Sequence, residues 1–584
     1  MKTYFKVCFA LISSPAWGSW EALGPFGGSA TIIEVDSQNR GTVLAATSNA
    51  QLFGSEDDGD SWNPLPFPAE LRATLHALVI DPHVPGVILV GLSSDTSEFS
   101  GLFRTTDGGV TWRRLPDPHL KEVWSIAIWP RDSNVIAAGT LDGVFITRDG
   151  GEAWVNASAP DHTGPKPVVS LEFDPLDSNI LYAGTPHLPW KTVDGGATWH
   201  SIYDGMLDDS DVFSILIHNR SRQTLFAAAC GGIYRSPNGG QTWTKLKEAK
   251  GASYRTYQIA QHPLRPNILL AATAHGLVKS VDGGNTWRRL SVQATRWVAF
   301  DAARPERIFL ATDDAGLFRS DDLGESLQAV NRGFTNRRLN SIAASGNALY
   351  VGLRDAAGAA ILRRTAPGQM WEALPTEQLV QSSASKVFAG DGGLLYLITN
   401  DGLAVSSSDG LGWTAIRPPS RESRLIDLLF ANSTGSMLLV DAEDGIYRTD
   451  DAGKTWDVVW HSPYPFRIYK AVMVDNNALL AATSRGLMRS DDRGLTWTPV
   501  PGALRDSTVT AICKHPKQPG LLFASRYGTI FASKDNGRTW APISAGEQGG
   551  NAVSGLAVLP GDPDRLIVLT ESRGVYAIQL GSEW

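Results

Sequence analysis

Acidic residues beside glycine recur at a near-constant spacing along this chain, and carboxylates in such settings build turns or cut glycosidic bonds. The strings read SEDDGDSW from Ser55 to Trp62, TTDGGVTW ending at Trp112, TRDGGEAW at Trp154, TVDGGATW at Trp199, SPNGGQTW at Trp243 and SVDGGNTW at Trp287. They return as TDDAGKTW at Trp456, SDDRGLTW at Trp497 and SKDNGRTW at Trp540. Weaker copies lie between: SDDLGESL with Leu327 in the tryptophan slot, RTAPGQMW at Trp371 and SSSDGLGW at Trp413. Within them Asp107, Asp149, Asp194 and Asp282 read as turn-formers. Outside them, Asp313 in ATDDAGLF is the one candidate catalytic carboxylate, with Asp142 and Asp401 near the same slot of their own repeats. Two carboxyls across a cleft hydrolyse a glycoside when one is held protonated. The competing reading of all three is a solvated turn residue next to glycine.

Binding chemistry is carried by aromatic and basic residues in a shared register. Strands ending in Pro or a turn residue run through IIEVDS, ALVIDP, SIAIWP, SLEFDP, SILIHN, QIAQHP and VAFDAA. Aligned on those ends, one position holds Thr31, His76, Trp124, Val169, Phe213, Tyr257 and Arg296, with Arg255 and Trp297 close by. Such side chains form a stacking and cation–π surface for a sugar or an extended peptide, or else wedge between sheets as core. A second group, Trp460, His461, Tyr464, Phe466 and Tyr469, falls in the loop VVWHSPYPFRIYK, which Pro463 and Pro465 stiffen. Trp190 in PHLPW is a further candidate for exposure.

The elements that must position these residues follow from the repeat. Twelve copies 40 to 50 residues apart match the period of a four-stranded propeller blade. In each unit, an inner strand such as WSIAIWP precedes NVIAAGT, then GVFIT, the turn and a strand opened by tryptophan. The hydroxyl and carboxylate of the turn bond backbone N–H groups, and its glycine takes a left-handed conformation. The 58 Gly, 33 Pro and 19 Trp against 6 Met suit an all-β chain rich in turns. Seven inner strands precede residue 333; about six units follow, and the last, GLAVLP, RLIVLT and GVYAIQL, lacks an outer strand. SWEAL, from Ser19 to Leu23, looks like an outer strand without its predecessors, so the two chain ends are expected to complete one blade together. The expected fold is two tandem β-propellers of seven and then six or seven blades, over residues 17–333 and 334–584.

The repeats resemble the Asp-box, or bacterial neuraminidase repeat, family across nearly the whole chain. That resemblance implies a propeller with the boxes at the blade periphery, away from any active centre. Three kinds of relative follow from it: retaining sialidases, xyloglucanase-type hydrolases with tandem propellers, and non-catalytic propellers such as sortilin-type receptors and the photosystem II assembly factor. Sialidases carry Phe-Arg-Ile-Pro early in the chain; here the similar string is Phe466-Arg467-Ile468-Tyr469, far downstream and without the proline. The xyloglucanase type opens on a Gly-Gly stretch like Gly24-Pro25-Phe26-Gly27-Gly28, and NRGFTNRRLNSIA resembles the segment that opens a second propeller. In that type the catalytic base is an Asp after Thr at the end of the first blade's second strand. Ser48 stands there, after Thr47, and a serine cannot serve as that base.

The formal charge of −8, without a basic block, offers no footprint for nucleic acid. Cys8, Cys230 and Cys513 are far apart and give neither a disulfide framework nor a metal site; the latter two read as small buried strand residues. No cofactor is implied. MKTYFKVCFALISSPAW reads as a thin secretory signal over residues 1–16, too short to span a bilayer, so export to the periplasm or beyond is expected without stable membrane insertion. The functional expectation is a non-catalytic propeller that binds a protein or glycan through its funnel and inter-blade loops, the alternative being a divergent glycoside hydrolase.

Overall fold

The computed structural model describes residues 20–67, 73–116, 119–158, 164–206, 210–246, 255–354, 361–366, 369–374, 386–399, 402–419, 425–432, 434–441, 445–460, 466–475, 478–544, 553–561, 564–570 and 573–580. The expected signal segment lies outside them. Regular structure among the described residues is β-strand, apart from the 3-10 turns Ser97–Phe99 and Asp391–Gly393.

The local turn is built as its residue types require. Around Asp107, the Thr105 hydroxyl donates to Oδ1 at 2.6 Å and accepts from Gly109 N at 3.1 Å, while Asp107 accepts from Thr111 N at 2.9 Å and from the Thr111 hydroxyl. The same bonds recur about Asp57, Asp194, Asp282, Asp322, Asp451, Asp492 and Asp535. Six donors and acceptors of a tight loop are thereby satisfied within eight residues, which holds the Asp107 carboxyl down at about 2. Leu327, in the tryptophan slot, follows a turn of the same geometry about Asp322.

The chain divides into two units: Phe26–Asn336 is one, and the chain from Arg337 together with the segment ending at Pro25 is the other. The first contains seven four-stranded antiparallel sheets, each of four consecutive strands. Its last inner strand, Thr295–Phe300, lies against its first, Ile32–Val35, so the ring is closed. The second contains six such sheets, and Val553–Leu559 meets Leu339–Ser345 to close it. Its sixth sheet takes its outer strand from the start of the chain: Glu21–Gly24 pairs antiparallel with Val575–Gln579, Glu21 opposite Ala577. A boundary at residue 17 would have placed this strand with the first ring.

Closure has its own residues. In the first ring the indole of Trp62 donates to Val330 O at 2.7 Å, and Phe334, fully buried, sets its ring edge-on to Phe53 at 4.8 Å. Gly27–Gly28 pairs in parallel with Thr335–Asn336, clasping the entry and exit of the unit. Gly333 has φ +88°, and a Cβ there would lie 2.0 Å from Trp62 O. Both the Gly-Gly stretch and NRGFTN are thus parts of this clasp, so NRGFTNRRLNSIA finishes the first ring with its first half and opens the second with its other half, where Leu339–Ser345 is the first inner strand. In the second ring, Trp371 Nε1 donates to Leu23 O at 2.8 Å and Arg364 to the same oxygen at 3.2 Å.

The described core forms thirteen apolar clusters, one for each blade interface. The cluster of Ile33, Phe53, Phe309 and Phe334 joins blades seven and one of the first ring. That of Leu23, Val351, Leu569 and Val575 joins blades six and one of the second. Cys513 is buried as expected, whereas Cys230 is half-buried at the end of its strand. Trp190 packs half-buried against the cluster of Phe173 and Trp199, which corrects the expectation that it is exposed. Among the described residues, no helix is long and apolar enough to cross a membrane.

Removing residues 20–25 strips the sixth sheet of the second ring of its outer strand and uncovers the edge of Val575–Gln579. Differential scanning calorimetry should show one transition lowered by several degrees while the other, from the ring of residues 26–336, keeps its midpoint.

Candidate functional site

In the first ring the aligned aromatic register coincides with a backbone irregularity. Five inner strands carry a β-bulge, and the unpaired residue is His76, Trp124, Phe213, Tyr257 or Arg296. A bulge sets two residues against one partner and re-aims the extra side chain. These five, with Thr31 and Val169, are half-buried and form one layer around the ring.

Two clusters form within that layer. His76 and Trp124, from adjacent blades, stack at 4.7 Å with 7° between planes, and the His76 Nε2 contacts the Ser93 hydroxyl at 2.7 Å. Burial pushes the His76 imidazole down to about 4, so the stack is neutral at physiological pH. The buried Trp124 indole N–H has no acceptor among the described residues. Opposite them, the Arg255 guanidinium lies 4.5 Å over Phe213 and Arg296 lies 4.1 Å over Tyr257. Each arginine is oriented by a carboxylate: Arg255 by Asp211 at 3.6 Å, Arg296 by Asp313 through its Nε. Contacts of this kind contribute roughly 0.5–2 kcal/mol each and leave guanidinium N–H groups facing outward.

The catalytic candidate is therefore engaged. Asp313 accepts from Arg296 and positions it. Asp142 is an exposed turn residue whose N–H bonds the Thr140 hydroxyl, and Asp401 lies outside the described residues. Thr47, beside Ser48, is spent on Gln51. Trp297 sits next to Arg296 and directs its indole to Glu34.

Glu34 is one of two raised carboxyls that the sequence reading passed over. Glu34 and Glu172 occupy the position three residues beyond the bulge register, where the other blades carry Val79, Ala127, Leu216, Ala260 and Ala299. Burial pushes both carboxyls up to about 8, the Trp297 indole offsetting part of this for Glu34. They stand in blades one and four of seven, on opposite sides of the ring. An acid in an apolar register, within IIEVDS and SLEFDP, was the available signal.

In the second ring Tyr469 is likewise the bulged residue of its inner strand, and Arg467 lies 5.8 Å over its ring. Trp460 ends the strand Asp457–Trp460, with its side chain outside the description, and His461 and Tyr464 are outside the described residues. Among the described residues, no group of three or more His, Cys, Asp or Glu is arranged to hold a metal ion.

Residues 324–466 match the family model of the DUF6242 β-propeller domain. No curated protein matches the chain. Among solved structures, the GH74 xyloglucanase from Xanthomonas campestris is 16% identical with a TM-score of 0.68, over 97% of this chain and 100% of that one. An ancestral GH74 enzyme is 14% identical with a TM-score of 0.71, over 97% and 99%. The GH74 enzyme from Niastella koreensis is 16% identical with a TM-score of 0.64, over 96% and 99%. At these identities the likeness shows the fold: two β-propellers in one chain.

Glu34 and Glu172 tie stability to pH. With carboxyls raised from 4.5 to about 8, the folded ring retains protons that the unfolded chain loses between those values. Their contribution is thus full below pH 4.5 and falls as pH rises to about 8. Urea unfolding of Glu34→Gln and Glu172→Gln should match wild type at pH 5 and exceed it at pH 9 by about 1–3 kcal/mol per site.

Proposed function

We propose that this protein binds an extended polar ligand, a glycan or a peptide, at the mouth of its first ring and does not turn it over. The reading rests on one observation: the Phe213, Tyr257, Arg255 and Arg296 array, whose guanidinium groups are held over aromatic faces by carboxylates before any ligand arrives. Preorganisation of this kind lowers the ordering cost of binding, and outward N–H groups suit hydroxyl or carbonyl acceptors. His76 and Trp124 extend the surface around the ring. Tyr469 and Arg467 offer a smaller surface of the same type in the second ring. The N-terminal string MKTYFKVCFALISSPAW favours a ligand met outside the cytoplasm.

Hydrolysis of a glycoside is the second reading. It is favoured by the two raised carboxyls of the first ring, since a protonated acid is what leaving-group departure needs. The GH74 likeness supplies a substrate class to try, a plant β-glucan of the xyloglucan kind.

Purified protein should retard one member of a panel of plant and bacterial polysaccharides or peptides in affinity electrophoresis, without releasing reducing ends. Tyr257→Ala and Trp124→Ala should weaken that binding about tenfold or more with little change in melting temperature. Release of reducing ends that Glu34→Gln or Glu172→Gln abolishes would replace binding with hydrolysis.

A further inference from the structure

The second ring holds a cavity of about 570 Å³ along the lumen its six inner strands surround. This is the size of a small-ligand site. Each blade contributes an apolar wall residue: Ile342, Phe388, Leu428, Val472, Ile512 and Leu556.

One cation is set into this wall. Lys470 donates from Nζ to Leu428 O at 2.7 Å and stands 4.3 Å from the centre of the Phe388 ring. An ammonium has three hydrogens, and the carbonyl takes one. Asp427, the acid whose charge acts on it, is shared: its Oδ2 accepts from Lys386 at 3.3 Å and its Oδ1 from Leu428 N at 2.9 Å. At the far end of the inner strands, Lys514 and Asp391 form an ion pair at 2.9 Å between blades two and five of six, across the ring from each other. The lumen therefore carries an under-satisfied ammonium toward the start of the strands, apolar walls along its length and a polar bar at its end. An ammonium in such surroundings is costly unless a counter-charge joins it, and burial lowers the Lys470 amine to about 8.

We propose that this cavity binds a small monocarboxylate with an apolar body, its carboxylate on Lys470 and its chain along the lumen toward the Asp391–Lys514 pair. The ligand supplies the acceptors that Leu428 O and Asp427 leave unfilled, and charge-assisted bonds of this kind are stronger than those between neutral groups. The site is independent of the first-ring mouth.

Isothermal titration of the full-length protein with octanoate and with octan-1-ol tests this. Octanoate should bind with unit stoichiometry, Lys470→Met should weaken it about tenfold or more, and Lys470→Arg should retain most of the affinity. Octan-1-ol, which lacks the charge, should bind wild type and Lys470→Met alike. If Lys470→Met fails to fold, wild-type protein acetylated with and without octanoate gives the answer: peptide mapping should show Lys470 protected and Lys514 unchanged. No binding of octanoate to wild type, equal binding to Lys470→Met, or no protection of Lys470 overturns the proposal.

Discussion

A propeller blade is apolar on both faces and reaches stability only between two neighbours, so the ring must close. Every blade interface in both units carries its own buried cluster, and the two closing interfaces are built like the rest. Other features answer to that requirement. Trp62 and Trp371 bond across the closing interfaces to carbonyls some 270 and 350 residues away in sequence. Asp58 of the first blade receives Arg304 and Arg307 of the seventh. Gly333 permits a backbone approach that a side chain would block, and Gly27 and Gly28 take positive φ values of 104° and 110° in the clasp.

Closure also gathers the candidate residues. Once the inner strands surround an axis, residues at one register meet as a layer, and chemistry follows from which side chain occupies which layer. In the first ring the bulged layer carries aromatics and arginines, with two carboxyls deeper in the same lumen. In the second, apolar side chains dominate and a lysine stands among them. Identical scaffolding thus supplies two environments of different polarity within one chain.

The repeat was legible because turn chemistry is local: Asp107 and its equivalents bond only residues within the same eight, so their spacing states the blade period outright. The aromatic register was legible for the same reason, as each inner strand ends on a recognisable turn. What escaped depends on the ring as a whole. That Asp313 is bound to Arg296, and that Glu34 and Glu172 share a lumen layer, are relations set by backbone bulges and by blades distant in sequence. That NRGFTNRRLNSIA serves both rings was hidden too, because Phe334 in its first half finds its partner, Phe53, some 280 residues upstream, while LNSIA starts the second ring.

The outer strand Glu21–Gly24 leaves the ribosome first among the described elements, and its partner Val575–Gln579 emerges roughly 550 residues later. At 5–20 residues per second, synthesis separates the two by about half a minute to two minutes. Throughout that interval the ring of residues 26–336 has all its strands and can close, while the four-residue strand ahead of it waits unpaired. The six-bladed ring is in effect a checksum on translation: a chain terminated before its last blade contains no partner for its own beginning, and cannot complete the ring by any local rearrangement.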